Sequence, residues 1–152
     1  MGRNILLARP HPFLVSQMRP LLEECGFDVR VPANTADIPS LAITSSGAVV
    51  SLAISSAVPA SIEDVYSTVR AVAPRIPILF ASLPPFAQAQ AALSRLARQV
   101  AANPSIHAAG GMEDRDRSLL GRVDTWLHVA KDDLNDPQRR EKALADIGRH
   151  FV

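Results

Sequence analysis

The chain is short of the residues that most directly announce a chemistry. Its 152 residues include one cysteine, Cys25, which excludes an internal disulfide and any cysteine-rich zinc site. It has only two lysines, Lys131 and Lys142, and no excess of either charge: 16 basic residues against 15 acidic leave +1. That balance is too even for affinity built on phosphate neutralisation. Aromatic residues make up 5%, so the mixed-sign runs Asp114-Arg115-Asp116-Arg117 and Arg139-Arg140-Glu141-Lys142 lack interleaved stacking partners. They read as solvated helix faces, and direct nucleic-acid binding is not expected. No apolar run approaches the ~18 residues of a membrane span. The opening Met1-Gly2-Arg3-Asn4-Ile5-Leu6 has neither a signal-peptide core nor the Ser/Thr at position 6 that myristoylation prefers. The expectation is a cytoplasmic protein with no membrane partner.

What is present is core-forming material. Hydrophobic residues are 47% and charged residues 20%, and a domain of this length buries roughly 70% of its unfolded surface. Short β-type runs fall at 4–8 (NILLA), 27–31 (FDVRV), 47–52 (GAVVSL), 77–82 (PILFAS) and 105–109 (SIHAA). Between them lie helically spaced apolar residues: Leu14, Met18, Leu21 and Cys25; Ile62, Val65, Tyr66, Val69 and Val72; Ala89, Leu93, Leu96 and Val100. A fourth stripe is Leu119, Leu120, Val123, Leu127 and Ala130, with Trp126 beside it as packing. Pro20 falls inside the first helix and is expected to kink it. Ser61 with Asp64 three residues on reads as an N-cap. Residues 36–44 are a weak helix candidate.

Five strands alternating with helices predict an α/β fold with a doubly wound parallel sheet covered on both faces. Right-handed crossovers leave the flavodoxin-like order 2-1-3-4-5 as the commonest solution. Residues 1–131 would form that domain and 132–152 a C-terminal helical extension. Its helix is expected to start with Asp136 as N-cap and Pro137 at the first position, and to present Leu144, Ile147 and Phe151 on one face.

With the elements in this order, residues 4–131 resemble the receiver domain of two-component response regulators. The resemblance is carried by Ile5-Leu6-Leu7-Ala8-Arg9-Pro10-His11-Pro12-Phe13, by Leu21 to Val29 (LLEECGFDV), by Ala48-Val49-Val50-Ser51-Leu52 and by Pro74 to Ser82 (PRIPILFAS). It is hydrophobic scaffolding rather than chemistry. The family's phosphorylation site uses two acidic residues after strand one to hold Mg²⁺, an aspartate ending strand three, Ser/Thr ending strand four and Lys-Pro after strand five. Carried over, the acidic pair falls on Arg9 and Pro10, with His11 following, and the phosphoacceptor on Ser51, or on Leu52 after a slip of one. The hydroxyl is kept as Ser82, and the lysine has no counterpart in Ile106 to Gly111 (IHAAGG). Magnesium demands oxygen ligands that arginine and proline do not supply. A guanidinium about 4 Å away repels it by about 8 kcal/mol at an effective dielectric of ~20. The resemblance therefore implies a pseudo-receiver, a degenerate receiver domain without phosphotransfer.

Two readings of Arg9, His11, Ser51 and Ser82 stand side by side. Meeting at the carboxyl ends of the strands, they could bind a small anion. Alternatively Arg9 pairs elsewhere or fills the vacated metal site, and the serines merely pack. His11 and His107 lack a third ligand for a metal, and Gly110-Gly111 reads as a turn rather than a phosphate cradle. No Ser-His-Asp order or glutamate pair suggests hydrolysis, so neither an enzyme nor a cofactor is expected. The leading expectation is a phosphorylation-independent signalling module acting by protein–protein interaction, as a homodimer or with another signalling protein. In the receiver family the dimer face is formed by helix four, strand five and helix five, which map here to 86–100 and 119–130. The candidate interface residues are Leu93, Leu96, Val100, Leu127, Leu144, Ile147 and Phe151. The alternative is an input domain sensing a small anion or metabolite. A further reading makes the chain part of a longer transcription regulator.

Overall fold

The computed structural model describes residues 3–9, 12–52, 61–100 and 103–151. Among them, six strands form one sheet: β1 (Arg3–Arg9), β2 (Phe27–Arg30), β3 (Gly47–Ser51), β4 (Ile78–Ser82), β5 (Ser105–Ala108) and β6 (Thr125–Ala130). All pairings are parallel, in the order β2-β1-β3-β4-β6-β5. Six helices surround them: α1 (Pro12–Glu24), α2 (Ile38–Ile43), α3 (Ile62–Val72), α4 (Phe86–Gln99), α5 (Lys131–Asn135) and α6 (Pro137–His150). The chain is thus α/β with a parallel sheet. Among the described residues no helix is long and apolar enough to cross a membrane.

Strand alternation divides the core in two. Ile5, Leu7, Val49, Leu79, Ala81, Leu127 and Val129 pack with α1 and α6, whereas Leu6, Ala8, Val50, Ile78, Phe80 and Trp126 pack with α2, α3 and α4. On the second face Trp126 lies against Phe80 and Tyr66, with ring centroids 4.8 and 5.2 Å away. Steps along the sheet toward β5 (β2 to β3, β3 to β4, β4 to β5) run through α2, α3 and α4 on this face. The reverse steps, β1 to β2 and β5 to β6, run through α1 and the Ala109–Met112 side on the other. Direction and face change together, as one crossover handedness requires.

Two expectations are corrected. The sheet has six strands, not five in the order 2-1-3-4-5, and Ser105–Ala108 is the edge strand rather than β4's neighbour. The stripe over 119–130 is not a helix: a 3-10 segment, Asp114–Leu119, leads through a turn into β6. All six β6 residues are buried, whereas β5 is exposed or half-buried along its length. The strand apolar on both faces takes the interior position, and the weaker one takes the edge. The last helix packs against the sheet. Ala143, Ile147 and Phe151 share one core cluster with Ile5 and Leu7.

The local signals behave as their chemistry requires. Ser61 Oγ accepts from the Asp64 amide at 3.1 Å, and Asp136 Oδ1 accepts from the Gln138 amide with Pro137 opening α6. α1 runs through Pro20 as one helix. The end of α6 is locked from three directions. Phe151 meets Phe27 edge to face at 6.0 Å, and its ring lies where a Cβ on Gly47 would fall. His150 Nδ1 accepts from the Gly121 amide at 2.9 Å, and its Nε2–H donates to the Ile78 carbonyl at 3.1 Å.

Candidate functional site

Arg9, Ser51 and Ser82 all end strands at the carboxyl edge of the sheet, and all three are buried. His11 lies outside the described residues. A bulge sets Arg9: Leu7 pairs with Val49, but Arg9 pairs with Val50, so Ala8 is the extra residue. Regular alternation would put Arg9 on the α1 side with Leu7. The bulge instead brings it into line with Val50, on the side of α3. There its Nη1 donates to the Ser51 carbonyl at 3.0 Å. Burial pulls the guanidinium below its usual pKa range, and the charge of Glu63, in the first turn of α3, works against that shift.

The two hydroxyls do not converge. Ser51 is the Cα partner of Ala81, which belongs to the α1/α6 face. Ser82, one residue on, shares the opposite face with Phe80 by alternation. Ser51 therefore offers Arg9 its carbonyl, while Ser82 stands two strand spacings from β1, about 10 Å. The expected three-residue constellation is a pair plus a separate group.

Ser82 belongs to a pair that the sequence reading missed. Its Oγ lies 2.6 Å from Nε2 of His128 on β6 and 2.9 Å from the Pro84 carbonyl. The single hydroxyl proton goes to Pro84, so His128 Nε2–H donates to Oγ and Nδ1 is the bare nitrogen. That Nδ1 is buried without a partner. Burial lowers the His128 pKa to about 4, against the opposing charge of Asp133. A serine and histidine at this distance suggest acyl transfer. Here the imidazole donates to the hydroxyl rather than accepting from it, and both side chains are enclosed. The pair works as a clamp between β4 and β6. A histidine inside the run Thr125 to Ala130 (TWLHVA) was the available signal, hidden once the segment was read as a helix.

The candidate interface residues belong to the core. Leu93, Leu96, Leu127, Ile147 and Phe151 are buried, and Val100 and Leu144 are partly buried against the same clusters. Val100 and Leu144 keep part of their surface exposed. Of the other histidines, His107 has a buried Nε2 with no partner, and among the described residues no three His, Cys, Asp or Glu side chains gather as a metal site would need. Comparison with known protein families, with curated proteins and with solved structures finds no match for this chain.

Proposed function

We propose that this chain is a receiver-like regulatory module that signals without phosphorylation, through contact with a protein partner or a second copy of itself. One observation carries the reading. The buried Arg9 guanidinium, bonded to the Ser51 carbonyl, sits at the strand ends where the resemblance puts the metal and the phosphoacceptor. A fixed cation there disfavours Mg²⁺, and without the metal the charge of a transferring phosphoryl group is not neutralised. The run β2-β1-β3-β4 supports a flavodoxin-like relationship, from which the inserted β6 is the departure. Because the apolar stripes of α4 and α6 are spent on the core, the partner meets polar surface. Among the described residues, the exposed large apolar side chains Val31, Ile43, Leu83 and Val123 are scattered between the two ends of the sheet. Such a surface suits transient contact better than an obligate dimer.

The test is intact-mass measurement after incubation with acetyl phosphate and Mg²⁺. The native chain and Ser51→Asp both stay unmodified, because Arg9 still repels the metal in the variant. A covalent phosphate on either ends the proposal. Sedimentation over a range of concentrations tests the second-copy arm, which a strict monomer removes.

A further inference from the structure

We infer a ligand site for a small organic phosphate in the cleft where β4, β6 and β5 end, apart from the Arg9 pocket and independent of the proposed signalling role. The topology opens this cleft. The chain leaves β4 toward α4 on one face of the sheet and leaves β6 toward α5 and α6 on the other. This divergence makes a second switch point, and crevices outside the carboxyl ends of parallel strands at such points are where open α/β sheets take ligands. The cleft holds about 240 Å³ and is lined by Phe86, Ala108 to Gly111, Asp133, Arg139 and Lys142.

Its charge arrangement favours an anion. Each Asp133 oxygen holds a donor: Oδ2 accepts from the Ala130 amide at 2.9 Å and Oδ1 from Arg139 Nη2 at 2.6 Å. The carboxylate thus orients the guanidinium and leaves it donors to spare, since arginine carries five N–H groups. Lys142 makes no ion pair among the described residues. It is held at the rim by a close approach that only glycine permits. Gly110 has φ +81°, and a Cβ there would come within 3.0 Å of the Ala143 nitrogen and 3.2 Å of Lys142 Cβ. The Gly110 amide is pinned at 2.8 Å to buried Asp146.

A further observation points to an occupant with an apolar body. Phe86 brings an aromatic ring to the cleft wall, 5.6 Å from the ring of His128. Arginine and lysine then take the phosphate oxygens, and Phe86 takes the apolar body.

Titration with phenyl phosphate, followed by calorimetry and by the imidazole NMR signals, tests the site. We expect saturable binding that shifts the resonances of His128, whose ring faces Phe86, is about tenfold weaker in Lys142→Ala, and is unchanged in Arg9→Ala. Inorganic phosphate binds more weakly because it leaves Phe86 unused. Lys142 is exposed, so its variant folds normally, as circular dichroism will record. No saturation at millimolar phenyl phosphate, equal affinity for inorganic phosphate, indifference to Lys142→Ala, or loss in Arg9→Ala overturns the inference.

Discussion

Gly47 shows how much a missing atom can decide. The first residue of β3 lies beneath the Phe151 ring, which Phe27 holds edge-on from the side. Gly47→Ala forces that ring out of a close-packed core, and overpacking of this kind costs typically 1–3 kcal/mol. Urea unfolding should show that loss. In Gly47→Ala/Phe151→Leu the two costs should sum to less than the single variants require, because the smaller side chain vacates the space. At this scale the sequence was half legible. Arg9, Ser51 and Ser82 were expected at strand ends, and they are there. Their orientations were not readable, because a one-residue bulge at Ala8 leaves no mark in the hydrophobic pattern. The partner of Ser82 was hidden for a different reason: His128 is 46 residues away, and only the pairing of β4 with β6 brings them together.

Among the elements, those bounded by proline, glycine or a cap were the readable ones. The first four strands and β5 fall within one residue of the expected spans at each end. Ser61 and Asp136 start their helices through the bonds their side chains were expected to make. β6 defeated the pattern because burial on both faces abolishes alternation, while Leu119, Leu120, Val123, Leu127 and Ala130 also satisfy helical spacing. α6 defeated it because an apolar stripe looks the same whether a partner or the chain's own sheet covers it. The structure makes α6 indispensable. A chain ending at Asp136 loses Ala143, Ile147, His150 and Phe151 together and uncovers Ile5, Leu7 and Val49. It should show no cooperative thermal transition and should bind a hydrophobic dye, whereas a dispensable appendage would leave the melt intact.

For the molecule as a whole, two enclosed histidines tie stability to acidity. Burial lowers both His128 and His150 to about 4. Asp133 opposes the shift at His128. At His150 the Ile78 carbonyl opposes it, while the charge of Arg70 adds to it. The folded state therefore binds these protons less readily than the unfolded chain, whose histidines titrate near 6.5. Stability is whole above that value, falls as pH drops toward 4 and flattens beneath it, with up to about 3 kcal/mol at stake per histidine. Urea midpoints measured from pH 7 to 4 should show this decline. His150→Gln, uncharged throughout, should be weaker at pH 7 but show a shallower slope. An equally steep slope in that variant would mean that protonation of His150 is not responsible.

The insertion of β6 between β4 and β5 also has a consequence in time. As the polypeptide is synthesised, the edge of β4 is made before either claimant, and residues 105–108 arrive about twenty residues ahead of 125–130. An early docking of the first arrival on β4 would build the simpler five-stranded sheet and shut out the rightful neighbour. The poor hydrophobicity of Ser105 to Ala108 then acts as a courtesy, keeping the berth open until the stronger strand comes to fill it.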